Sequence, residues 1–381
     1  MTDRFLTFIG DTNDASARGG SPRNLVQAGM RAGFFVGGWQ LSPERARRRR
    51  VLWNLLELLR TGERGGYQFT LDFARQMIAQ VPKNQRYGEV VSTFPVFPPA
   101  DWIPGQVNFY IDATFNQLFG EYGISHLVSR RVQQDVLARE RAQYAAAEHI
   151  CCMSRWAACA VVESYGVPPE KVHIVGGGAN VEESATLAFG QRSGPHSPFR
   201  LGFVGKDWQR KGLMFLLEVA ELLQSMGVAA EVWAAGFDPA SGPSHRLLRA
   251  VGFIDKRIEL ERFVKFIYSC DLGCLFSSSE AYGLSNIEFL RLGVPVITRD
   301  AGGMADTVPD GCGYVFAADE GPEVVAGWIG AIVAEPEQYR RLAANVAENP
   351  QRFGWDGVVE RMQAVWHGSK NYSYGKLVDN A

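Results

Sequence analysis

The sequence predicts two α/β domains, each on a parallel sheet, facing each other across a cleft. Three observations predict this. The chain has 381 residues, more than one average domain holds. Short β-branched or aromatic runs alternate with longer helical patterns, the signature of a parallel sheet with crossover helices. One stretch, residues 181–199, breaks that alternation: it is polar, contains glycine and proline and has no period, so it reads as a linker.

Before the linker, RFLTFIG (4–10) is a strand that ends in a glycine-rich loop, and PRNLVQAGMRAG is the helix after it. EVVSTFPVF and QVNFYIDAT read as strands, DVLARERAQYAAAEH as a helix, ICCMS as a strand and RWAACAVVESYG as a helix. KVHIVGGGAN is a strand running into a turn. Beyond the linker come the strand RLGFVG, the helix LMFLLEVAELLQSMG, the strand AAEVWAAG, the helix RFVKFIYSC, the strand LGCLFSS and a strand over 294–298. GWDGVVERMQAVWHG near the end is an amphipathic helix. In such sheets ligands bind beyond the carboxyl ends of the strands. The loops at Gly19-Gly20, Gly176 to Gly178, Gly205 onward and Glu280 onward all follow strands.

Apolar residues make up 46% and charged residues 21%, and the net charge of −2 argues against nucleic acid as a partner. The N-terminus carries acids too early for a signal peptide, and no run approaches 18 apolar residues, so a cytoplasmic protein is expected. The six cysteines lack paired metal-site spacing and read as reduced core thiols.

Two stretches carry chemistry. In FVGKDWQRKGL (203–213) a strand ends at Gly205, and Lys206, Arg210 and Lys211 crowd the next helix start. Cations there oppose the helix dipole unless an anion sits among them, so the loop reads as a phosphate site; a solvated basic turn is the plainer reading. In SSSEAYGLSNIEFLRLG (277–293), Glu280 and Glu288 bracket the turn Tyr282-Gly283-Leu284. A helix starting near Ser285 would point free N–H groups at a phosphate, and a carboxylate at each end can accept bonds from sugar hydroxyls. Ser285-x-x-Glu288 is also a capping-box pattern, and the residues alone leave the two readings of Glu288 level.

The second stretch resembles the E-x7-E signature of the retaining GT-B glycosyltransferases of family 4. FVGKDWQRKG resembles that family's glycine-arginine-x4-lysine-glycine motif, with Lys206 where arginine is usual. KVHIVGGGANVE is similar to the end of the family's first domain, and FGWDGVVERM to its closing helix; the matches run from about 172 to 366. The resemblance implies a GT-B architecture of two Rossmann-like domains: 1–180 with 357–381 on the acceptor side, the linker 181–199, and 200–356 holding the nucleotide-sugar.

It implies a hexosyltransferase-type enzyme that retains anomeric configuration and uses a UDP-, GDP- or other nucleotide-sugar. The acceptor, a sugar, a lipid-linked molecule or a small molecule, is not specified. By the same resemblance Glu288 holds the ribose, Glu280 contacts the donor sugar, and Lys211 with Lys206 neutralises the diphosphate. Gly205, Tyr282, Gly283, Leu284 and Ser285 line the donor, Ile254 lies by the base, and Gly20 approaches from the first domain. Many members place a histidine in the first domain's cleft; here that strand end offers Asp112 and Thr114, while His126, His149 and His173 read as structural.

No D-x-D triplet occurs, and the lysines with the helix N-terminus can replace a cation, so neither metal nor other cofactor is expected. Alternative readings are a GT-B epimerase, a phosphorylase (which would need a cofactor lysine) and a nucleotide-sugar-binding protein without turnover.

SPERARRRRVLWNLLELLR (42–60) sets five arginines ahead of an apolar run. It reads first as a core helix with a solvated basic face. The other reading is a peripheral contact with anionic lipid at the inner membrane face, or with an acidic acceptor.

Overall fold

The computed structural model describes residues 3–63, 65–181 and 194–378. Most of the linker expected at 181–199 lies outside them. The described chain forms two compact units, one of 1–176 with 358–381 and one of 177–357.

The first unit holds β1 (Arg4–Thr7), β2 (Gly37–Gly38), β3 (Glu89–Ser92), β4 (Val107–Ile111), β5 (Ile150–Cys152) and β6 (Val172–Ile174). They lie in the order β2-β1-β3-β4-β5-β6, every pair parallel. Its helices are α1 (Ser21–Arg31), α2 (Arg47–Thr61), α3 (Leu71–Ile78), α4 (Phe115–Gly120), α5 (Arg130–Ala146) and α6 (Arg155–Glu163). Val90, Phe109, Ile150 and Val172 from four neighbouring strands join Tyr144 and Ala157 from the covering helices in one core. Four parallel strands buried on both faces explain the near-continuous apolar runs in the sequence.

The second unit holds β7 (Phe199–Val204), β8 (Ala230–Ala235), β9 (Leu248–Ala250), β10 (Leu272–Leu275), β11 (Val296–Arg299) and β12 (Gly313–Phe316). The order is β12-β11-β10-β7-β8-β9, again all parallel. Its helices are α7 (Leu213–Ser225), α8 (Leu260–Tyr268), α9 (Leu284–Arg291), α10 (Pro322–Ala334) and α11 (Pro336–Glu348). Leu201, Phe203, Leu217, Val232, Leu272 and Phe316 lie in its core. The chain leaves β7 toward β8 and β9 on one side and returns to β10 on the other. That order puts a topological switch point between β7 and β10, where loops diverge and a crevice opens at the strands' carboxyl ends.

The last long helix, α12 (Trp355–Trp366), begins in the second unit and continues in the first, followed by α13 (Tyr374–Val378).

The core-helix reading of residues 42–60 is corrected. α2 forms, but Val51, Leu52, Leu55, Leu56, Leu58 and Leu59 are all exposed, Leu59 by 75%. The face it buries carries Trp53, Asn54 and Glu57 instead. Asn54 accepts hydrogen bonds from the N–H groups of Gly66 and Tyr67, both at 3.2 Å, and Glu57 accepts one from the Ser129 hydroxyl at 2.9 Å. The Trp53 ring packs on Tyr67 with centroids 5.9 Å apart.

Candidate active site

The two loops that leave the switch point are tied together by hydrogen bonds. After β7 the chain turns through 205–212; after β10 it turns through 276–283. Ser278 N–H donates to the Arg210 carbonyl at 3.0 Å, and the Ser277 hydroxyl donates to the same oxygen at 3.2 Å. The turn after β11 joins them, because Gly303 N–H donates to the Glu280 carbonyl at 3.1 Å.

Glu280 is the electrostatic centre of this cluster. Its Oε2 accepts a hydrogen bond from Lys211 Nζ at 2.8 Å and lies 3.4 Å from the Arg210 guanidinium. Arg210 also donates to Ser277 Oγ at 3.2 Å, to the Ser279 carbonyl and to Asp207. The Lys211 stem needs a glycine beneath it: a methyl group at Gly205 would stand 2.4 Å from Lys211 Cδ. Gly205 therefore positions the lysine.

α9 starts at the turn that Glu280 leads into. Gly283 caps it with φ 92° and ψ 55°, a left-handed conformation costly for any residue with a Cβ. The helix thus begins one residue earlier than expected. No side chain caps it, and the Ser285 hydroxyl is buried without a hydrogen-bond partner. The capping-box alternative for Glu288 is therefore not what the helix uses. Glu288 is buried and forms an ion pair with Lys256, from the loop that follows β9. α9 is pressed onto the sheet at the switch point by Phe289, whose ring occupies the space left by Gly202 of β7 and Gly273 of β10.

The remaining residues fall into three groups. Tyr282 and Ile254 are buried, as is Ser285, while Leu284 opens α9. Lys206 is exposed, and its ammonium lies over the Phe253 ring, 5.1 Å from the centroid. The described contacts join Arg210 to Glu280, and none joins Lys206 to it. Arg257, beside Lys206's other neighbour Asp255, holds that carboxyl down to about 2 through hydrogen bonds.

In the first unit, Gly20 caps α1 with φ 96°, and Asp112 is partly exposed after β4. Thr114 is fully buried. Its hydroxyl accepts from Gln117 N–H at the start of α4 in a capping box, which gives the side chain a helix-capping role. The His149 ring lies tilted against both His173 and Trp366, and burial lowers the pKa of both histidines, His173 to about 4; neutral packing roles fit them.

Sequence reasoning placed Lys211, Glu280 and Glu288 in one site but missed Lys256 as Glu288's partner and Arg210 as Glu280's. Both pairs join loops that only the sheet order brings together. For Thr114 the signal was present, since Thr-x-x-Gln is itself a capping pattern.

Residues 198–335, which contain this whole cluster, match the family model described as glycosyl transferases group 1. Over that stretch the second unit is similar to the group 1 glycosyltransferases. A D-inositol 3-phosphate glycosyltransferase of Catenulispora acidiphila is 26% identical over 256 residues, covering 61% of this chain and 60% of that one. The chain thus aligns with about three fifths of that relative's length. Solved structures extend the likeness over the full fold. Sucrose-phosphate synthase from Thermosynechococcus elongatus superposes with a TM-score of 0.63 at 16% identity, covering 96% of this chain and 98% of that one. Anabaena HepE, solved with UDP and glucose, gives 0.61 at 12% identity, covering 97% and 100%. The chain therefore has the GT-B fold. Among its described residues no helix is long and apolar enough to cross a membrane.

Proposed function

We propose that the protein transfers a sugar from a nucleotide-sugar to an acceptor, retaining anomeric configuration and requiring no divalent metal. The observation that carries this reading is the Lys211–Glu280–Arg210 cluster beside the α9 N-terminus at the switch point. Such a cluster offers cations and free N–H groups to a diphosphate, and a carboxylate to the hydroxyls of the sugar attached to it.

When the glycosidic bond to the diphosphate breaks, negative charge grows on the departing phosphate. Lys211, Arg210 and the N–H groups of Leu284 and Ser285 favour that charge more as it grows, which lowers the barrier. In this reading Lys206 serves the outer side of the diphosphate, Glu288 accepts hydrogen bonds from the ribose hydroxyls, and Lys256 is its counter-ion. The base lies along 251–256, near Ile254, with Tyr282 and Gly283 beside the donor. Gly20 approaches the phosphate or the acceptor from the first unit, Asp112 is assigned to the acceptor side, and the departing phosphate itself takes the acceptor proton.

Incubation with a panel of nucleotide sugars in EDTA tests the reading. Release of one nucleoside diphosphate is expected, with UDP the first to try because HepE binds it in a like fold. Binding without release from any sugar would favour a non-catalytic binding protein. Release that appears only when Mg²⁺ or Mn²⁺ is added would remove the metal-independent step.

A further inference from the structure

α2 is an amphipathic helix mounted with its apolar face outward. At about 100° per residue, Leu58, Val51, Leu55, Leu59, Leu52 and Leu56 follow one another around an arc of roughly 160° centred opposite Glu57. All six are exposed by 45–75%. Monomeric proteins rarely leave a contiguous apolar stripe open unless something covers it.

The opposite face is fixed to the protein by Asn54, Glu57 and Trp53, so the outward direction is built in and does not reflect a loose helix. Charge frames the arc. Arg47 borders one edge and Arg49 and Arg60 the other; Arg48 falls in line with the arc at its N-terminal end, where Arg45 also lies, and Arg50 points to the Glu57 side. Arg49 lies 3.7 Å from Asp72, with both side chains well exposed. The only acids between 42 and 60 are Glu44, which precedes the helix, and Glu57, which is buried on the other side.

We propose that α2 docks this protein on an anionic lipid surface, lying in the plane of the interface with its leucines among the acyl chains and its arginines at the headgroups. Charge complementarity selects this occupant. A wide apolar arc edged by arginines matches a surface that is apolar within and anionic at its rim. A second copy meeting the same face around a two-fold axis would set arginine edge against arginine edge. The docking does not depend on donor chemistry.

The full chain is tested by co-sedimentation without nucleotide-sugar. The vesicles are phosphatidylcholine alone, and phosphatidylcholine mixed with phosphatidylglycerol at about two to one. Binding to the mixed vesicles should be at least about tenfold tighter than to the neutral ones, and should weaken in raised salt. Leu55→Ser/Leu59→Ser should abolish it while the melting temperature stays within a degree or two, since both side chains are already exposed. Arg47→Glu/Arg49→Glu, also on the surface, should remove the preference for anionic lipid and keeps the test decisive should the leucine variant fold poorly. No binding to mixed vesicles would overturn the proposal, as would leucine variants that bind like wild type. A dimer in light scattering that Leu55→Ser/Leu59→Ser dissociates would instead give the face to a second copy.

Discussion

Glu288 sits one turn inside α9 with its carboxylate held by Lys256, and nearly all of its side chain is out of solvent. An acid that merely balanced that lysine would be indifferent to the sugar of a nucleotide. In Glu288→Gln the amide oxygen can still meet Lys256, which stays a quarter exposed, so stability without ligand should fall by less than the about 3–5 kcal/mol that breaking a fully buried ion pair costs. A ribose hydroxyl, however, would face an NH₂ group, and nucleotide affinity should drop by about 1.5–3 kcal/mol. Wild type should bind a 2′-deoxy nucleotide more weakly than its ribose counterpart, and the variant should lose most of that preference. Calorimetry showing the preference intact would reduce Glu288 to a counter-ion.

Glu140 makes a second residue-scale case. It is buried beneath the start of α4, where it accepts hydrogen bonds from Phe115 N–H at 3.0 and 3.1 Å, from the Tyr144 hydroxyl at 2.9 Å and from the Tyr165 hydroxyl. Burial outweighs those donors and pushes its carboxyl up to about 7. The folded state then binds more protons than the unfolded one between roughly pH 4.5 and 7, so this group's contribution to stability is lost as pH rises through that window. Glu140→Gln cannot titrate. The melting temperature of wild type relative to the variant should therefore fall as pH rises from about 4.5 to 7, and a constant or growing difference would contradict the burial argument.

At the scale of elements, α9 matters most, because its N-terminus and Glu288 both depend on how it lies on the sheet. A methyl group at Gly273 would stand 2.4 Å from Cγ of Phe289. Gly273→Ala should cost about 1–3 kcal/mol of stability and, by lifting α9, weaken nucleotide binding as well. Gly327, exposed within α10 with open space around it, is the control: Gly327→Ala should stabilise by about 0.5–1 kcal/mol and leave binding alone. Thermal melts in which both substitutions act alike would remove the packing explanation.

α2 shows how an element can be legible while its orientation is not. Its apolar run and arginines were plain in the sequence, and the usual rule put the leucines inward. What turned them outward are Asn54 and Glu57, whose partners Gly66, Tyr67 and Ser129 lie 12, 13 and 72 residues away. The short strands β2, β9 and β12 were passed over for a related reason. Two to four residues, glycine-rich or half-polar, pair only because a neighbouring strand offers its edge.

For the whole molecule, alternating strands and helices sufficed to anticipate parallel sheets, since buried parallel strands must be apolar throughout and their crossovers must be long. The grouping of Lys211 with Glu280 was legible because both stand in short segments around glycines. The ion pairs within the donor cluster were not, because Arg210 and Lys256 reach their acids across loops that sheet order alone makes neighbours. The central claim is that this cluster stabilises a departing nucleoside diphosphate.

The rate of nucleoside diphosphate release by Lys211→Ala, measured in EDTA with the nucleotide-sugar that wild type cleaves, tests that claim most directly. One charge-assisted hydrogen bond is worth about 1.5–3 kcal/mol, so product affinity should fall roughly ten- to a hundredfold. The release rate per unit donor should fall further than that, because the phosphate is more negative at the transition state than in the bound donor. A loss in kcat/KM no greater than the loss in affinity would contradict the claim and leave Lys211 a ground-state binder.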